Sequence, residues 1–94
     1  MKYKVEKIKH TKLTQGLLRL CAMLPSYYFD SGSEEECERI ILAIYSEAKR
    51  TTFLRRNAWV TLESHYTLKK ERDRLIIESL HGKEYLEFRI IRTT

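Results

Sequence analysis

Residues 33–50, SEEECERIILAIYSEAKR, place the tightest local constraint on this chain. Ser33 with Glu36 three residues on makes a capping box, in which the hydroxyl takes an otherwise unpaired amide and the glutamate reaches back to the cap. Glu34, Glu35, Glu36 and Glu38 crowd the start and Lys49 and Arg50 the end, the order that complements a helix dipole. Cys37, Ile40, Ile41, Ile44 and Ala48 recur at i, i+3, i+4, i+7 spacing, with Tyr45 at the margin. The segment is a helix with one stripe that must be covered, so the rest of the chain has to supply a surface for it.

Residues 2–9, KYKVEKIK, alternate imperfectly, with Tyr3 and Val5 on one side and Lys2, Lys4 and Glu6 on the other. They predict a strand at a sheet edge, where lysines discourage further pairing. Leu13, Leu17, Leu20, Cys21 and Leu24 then change to helical spacing, and Leu18 and Met23 widen the apolar surface. A largely buried helix at 12–24, stopped by Pro25, is expected. Gly16 costs a helix about 1 kcal/mol against alanine, which leaves a buried strand pair as the rival. SYYFDSGS follows as a loop in which Tyr27, Tyr28 and Phe29 either finish the core or meet a partner. Beyond the capped helix, TTFLRRNA reads as a connector with Phe53 and Leu54 packed and Arg55 and Arg56 in solvent.

Three strands come next, at 58–68, 73–80 and 83–92. In the first, Val60, Leu62, Tyr66 and Leu68 share one face and Trp59, Thr61, Glu63, His65 and Thr67 the other. A two-residue turn at His81 and Gly82 sets Ile77 opposite Leu86 and Leu75 opposite Phe88, which brings the apolar faces together. An even loop at 69–72, with Leu68 opposite Asp73, keeps those faces matched across the earlier turn. The expected architecture is a single α+β domain in the order β-α-α-β-β-β. Two helices, at 12–24 and 33–50, pack on a mostly antiparallel sheet that ends in a three-stranded meander.

Composition narrows the function. Apolar residues make up 43% of 94 residues with 3 Gly and 1 Pro, which fits a folded globule. No apolar run approaches the ~20 residues of a membrane span, and the start lacks a signal-type apolar segment, so an intracellular, cytoplasmic protein is expected. Long charged side chains abound while Gln15 and Asn57 stand alone, the bias of hyperthermophile proteins. Cys21 and Cys37 are too few for a zinc site and read as reduced buried thiols. From a hyperthermophile they would instead allow a disulfide, worth ~3 kcal/mol in the chain-entropy model. His10, His65 and His81 are scattered; His81 falls where a turn tolerates positive φ, and His65 near Glu63 is a surface acid–base candidate. No phosphate loop, nucleophile elbow, paired-carboxylate site or metal spacing occurs. No enzyme activity, cofactor or small-molecule substrate is therefore expected.

A formal charge of +5 favours an anionic partner. Lys69, Lys70, Arg72 and Arg74 on the first hairpin tip, with Arg55 and Arg56, suit phosphate contacts to DNA or RNA by a regulatory or accessory factor. Lys2, Lys4, Lys7, Lys9 and Lys12 form a second basic group. The outer meander face carries Trp59, Ile76, Leu80, Tyr85 and Ile91, too apolar for open water, which predicts partial cover by the N-terminal segment or, as the favoured reading, a homodimer or a protein target. The element order in a basic chain of this size is similar to that of the RelE-type messenger-cleaving toxins, by topology and without a shared motif. That resemblance implies a ribonuclease as one alternative. Short Glu/Lys-rich α+β chains also resemble viral inhibitors of host defence, which implies an inhibitor or adaptor as another.

Overall fold

The capped helix forms as its sequence dictates. In the computed structural model, which describes residues 2–9, 17, 18, 20, 32–82 and 84–93, helix α1 runs Glu34–Arg50. Ser33 is extended and its Oγ accepts from the Glu36 amide at 3.1 Å. Cys37, Ile41, Ile44 and Ala48 are the buried stripe. At the other end the Thr51 amide donates to the Ala48 carbonyl, and its hydroxyl donates to the Glu47 carbonyl at 2.7 Å.

Among the described residues six strands accompany it: β1 Tyr3–Lys9, β2 Thr52–Arg55, β3 Ala58–Thr61, β4 Tyr66–Lys70, β5 Arg74–Ser79 and β6 Tyr85–Arg92. Four of them form an antiparallel sheet in the order β1-β6-β5-β4, while β2 and β3 pair separately. The chain is α+β. The first strand lies beside the last, with Val5 opposite Ile90. Helix α1 covers one face of the large sheet, and its stripe meets Val5, Leu75, Ile77, Leu86 and Phe88. Leu17 and Leu20 are fully buried in the same core, and Leu18 is exposed. These three leucines have helical backbone, and the remainder of the expected helix at 12–24 lies outside the described residues. So do Tyr27, Tyr28 and Phe29.

The meander is legible in part. Leu75 stands opposite Phe88 and Ile77 opposite Leu86, as turn chemistry predicts. Positive φ belongs to Gly82 at +74° and not to His81, because glycine alone has no Cβ to clash there. The earlier turn departs from expectation: Leu68 pairs with Ile77 and not with Asp73. The loop is Arg72-Asp73, closed by the Glu71 amide donating to the Arg74 carbonyl at 2.9 Å. A slip of four residues preserves side-chain parity, so the face assignment survives the wrong register.

The expected strand at 58–68 is two strands joined by a 3-10 turn at Leu62–Ser64. Backbone hydrogen bonds explain the break. The Leu62 amide donates to Thr51, continuing the β2–β3 ladder, whereas the His65 carbonyl accepts from Leu80 beside the main sheet. Likewise TTFLRRNA is no connector. It is β2 and a two-residue turn, with Arg56 at φ 50° and Asn57 at φ 67°. Two successive left-handed residues are the type I′ turn that suits a tight hairpin. The chain therefore carries an extra hairpin between helix and meander, and β-α-α-β-β-β is not its order.

Candidate interaction surfaces

Strands β2 and β3 form an arm outside the main sheet. Its root is Phe53, buried and edge-on to His65 at 5.7 Å and to Tyr66 at 6.3 Å between ring centroids. Arg55 and Ala58 flank the turn, so in a two-residue hairpin they exchange hydrogen bonds and the next pair does not. That next pair is Leu54 and Trp59, whose side chains are consequently close. They are 43% and 61% exposed, so the packed Leu54 expected from sequence is instead part of an apolar cross-strand patch. Arg55, Arg56 and Asn57 are exposed at the tip. Among the described residues neither arginine forms an ion pair.

The β4–β5 tip is different, because its charges are largely taken up. Arg72 donates to Glu34 at 2.9 Å and to Glu38. Arg74 Nε donates to Glu71 at 2.9 Å, and Lys69 Nζ lies 3.9 Å from Glu78. Donating to these carboxylates raises the pKa of both arginines above the ordinary value. Lys70 is the one of the four without an ion pair among the described residues. The acidic start of α1, sufficient for cap and dipole, thus also clamps a hairpin 34 to 38 residues away. No local pattern signals that contact.

On the outer face of the main sheet the central group is Glu87, only 1% exposed. Its carboxylate accepts from Tyr85 Oη at 2.6 Å and from Arg89 Nε at 2.7 Å. Burial by itself would push the Glu87 pKa up, yet the bonds from Arg89 and Tyr85 and the charges of Arg89 and Arg74 hold it below the usual carboxylate value. The same hydrogen bond raises the Tyr85 pKa, and burial adds to it. Arg74 stands opposite Arg89, and Ile76 lies between Glu87 and Lys69. Ile91 is opposite Lys4. Trp59 sits on the arm, so Trp59, Ile76, Tyr85 and Ile91 do not make one apolar patch.

Cys37 is a free and fully buried thiol; the disulfide alternative pairs it with Cys21, which lies outside the described residues. Burial, then Glu36 and Glu34, push that thiol's pKa up, which makes it a poor nucleophile. His65 is half-buried against Phe53 with Nδ1 2.7 Å from Ser64 Oγ, and His81 Nδ1 is 3.2 Å from Ser79 Oγ. His10 lies outside the described residues. Among the described residues no three His, Cys, Asp or Glu side chains are grouped to hold a metal ion, and no helix is long and apolar enough to cross a membrane. No family model matches the chain, and no curated protein or solved structure matches it significantly.

Proposed function

We propose that this chain is a small non-enzymatic binding protein that contacts nucleic acid, with the tip of the β2–β3 arm as its leading contact. One observation carries the reading. Arg55 and Arg56 stand exposed and, among the described residues, without an ion pair at the end of a two-stranded ribbon, whereas Arg72, Arg74 and Lys69 are already held by carboxylates. An arginine free of a carboxylate contacts phosphate without first breaking an ion pair. A two-stranded ribbon also fits the width of a duplex major groove. Arg56 adds a second hint, since a non-glycine residue with φ near 50° costs of order 1–3 kcal/mol and such strain gathers at functional positions. Lys70 is the remaining member of the expected basic set that could join them. Trp59 and Leu54 favour a second reading, in which the same arm presents an apolar pair to a protein target.

Salt-dependent binding to mixed DNA and RNA tests the proposal. Wild type should bind at low salt with a steep loss of affinity as salt rises. The Arg55→Glu, Arg56→Glu double variant should lose affinity, and its slope of log K against log salt should fall by roughly 1.8 on duplex DNA, about 0.9 per phosphate contact. Arg72→Gln should leave the slope nearly unchanged because its charge is committed to α1. An unchanged slope in the double variant refutes the arm as the contact, and salt-insensitive or absent binding by wild type refutes the nucleic-acid reading.

A further inference from the structure

Among the described residues the main sheet ends in β4, which has no neighbouring strand on one side. In β4 the His65 carbonyl accepts from Leu80 and the Glu71 amide donates to Arg74, so odd-numbered residues bond to β5. Strict alternation then turns the backbone groups of Leu68 and Lys70 outward. Among the described residues nothing bonds them, and β4 is the terminal strand of the sheet order. Beside this edge runs a groove lined by Glu35, Glu38, Arg39 and Leu42 of α1 and by Lys70 and Arg72. Leu42 is 52% exposed there, although its helix is otherwise apolar only on the face towards the sheet.

We propose that a second copy of this chain docks on the β4 edge, antiparallel across a two-fold axis at Leu68, and continues the sheet. Register selects the arrangement. Centring on Leu68 sets Lys70 opposite Tyr66 and Lys69 opposite Thr67 of the second copy, with no like charges facing. The neighbouring register on one side places Lys69 against itself, which is destabilising. That on the other side carries Lys70 beyond the strand, against Ser64 in the 3-10 turn. Lysines on an edge ordinarily guard against pairing. Here Lys69 points to the opposite sheet face and is drawn to Glu78 at 3.9 Å.

The groove agrees with a self-complementary contact. A two-fold interface meets its own surface, so it needs both charge signs within one patch. Glu35, Arg39 and Lys70 supply both around a single exposed leucine, while Glu38 and Arg72 in the same lining are already bonded to each other. The opposite edge does not offer this. On β1 the amide and carbonyl of Tyr3 are already bonded to Gly32 at 2.8 and 2.7 Å. In its two longest registers, pairing the rest of β1 with itself sets Glu6 against Glu6 or Lys7 against Lys7. This dimer is separate from the β2–β3 arm and stands or falls without it.

Sedimentation of the full chain from ~1 to ~100 µM, with hydrogen exchange read at both ends of that range, tests the interface. A monomer–dimer equilibrium is expected, with the Leu68 and Lys70 amides exchanging more slowly in the concentrated sample. Leu42→Glu, at an exposed helical position, should weaken the dimer at least tenfold while the far-UV spectrum is unchanged. Ile76→Lys, on the opposite sheet face, should leave dimerisation as it is. The proposal is overturned by a monomer at every concentration or by a dimer without protection at Leu68 and Lys70. It is equally overturned if Ile76→Lys dissociates the dimer and Leu42→Glu does not.

Discussion

Replacing Glu87 by glutamine keeps the side-chain shape and an acceptor for Tyr85 but removes the charge that Arg89 Nε meets at 2.7 Å. A hydrogen bond to a charged group contributes about 1.5–3 kcal/mol, and breaking a fully buried pair costs about 3–5 kcal/mol. Arg89 keeps 44% of its side chain in solvent, so water restores much of what it loses. The expected loss for Glu87→Gln is therefore about 1–2 kcal/mol at neutral pH, against a total of about 5–14 kcal/mol for a chain of this length. In a domain this small that lowers Tm by roughly 4–16 °C. The pH dependence has a definite sign. A carboxylate whose folded pKa is depressed stabilises above its unfolded value, here 4.5, and loses that contribution as pH falls through the folded one. Wild type should therefore lose its advantage over Glu87→Gln as pH drops below that value. Urea unfolding of both proteins at pH 7 and through the acid range measures it. A difference within about 0.3 kcal/mol at pH 7, or one that stays constant into acid, would refute an ionised Glu87 held by Arg89.

Two further outcomes concern the arm. Phe53→Ala should destabilise the whole protein by about 3–4 kcal/mol because it empties the buried root, whereas Trp59→Ala should cost less than about 1 kcal/mol, as urea midpoints will show. Arg56→Gly should raise stability by about 0.5–1 kcal/mol by relieving a left-handed arginine while weakening polyanion binding, measured on one preparation by thermal unfolding and by titration.

Helix α1 was readable because every signal for it is local. Cap, charge order and apolar stripe all lie within residues 33–50, and the fold uses each of them. The β5–β6 register was equally readable, since a turn at Gly82 and matching parity leave few alternatives. Parity also limited what could be known. It accepts any even slip, so the four-residue error that placed Leu68 opposite Asp73 was invisible until packing chose Ile77. It runs unbroken from Val60 through Leu62 to Tyr66, although the ladder partner changes from Thr51 to Leu80 along the way. The candidate residues divide in the same manner. Arg55 and Arg56 stood out as exposed cations, but the arm that carries them did not, because its tight turn is Arg-Asn and half its surface is open. Glu87 alternates onto the nominally wet face and is nonetheless buried, since Tyr85 and Arg89 close over it.

By itself, then, the sequence determined which segments are helix and strand where the evidence is short-range: α1, the inner face of the meander, and the surplus of positive charge. Tertiary structure alone decided which of those charges are spent and which remain available. Arg72 lies between Glu71 and Asp73 and Arg56 beside Arg55, yet the partners that hold Arg72 are Glu34 and Glu38, brought to it by the approach of the β4–β5 tip to α1. Ion pairs between distant residues depend on how elements pack, and packing is a property of the assembled surface that no window of sequence contains.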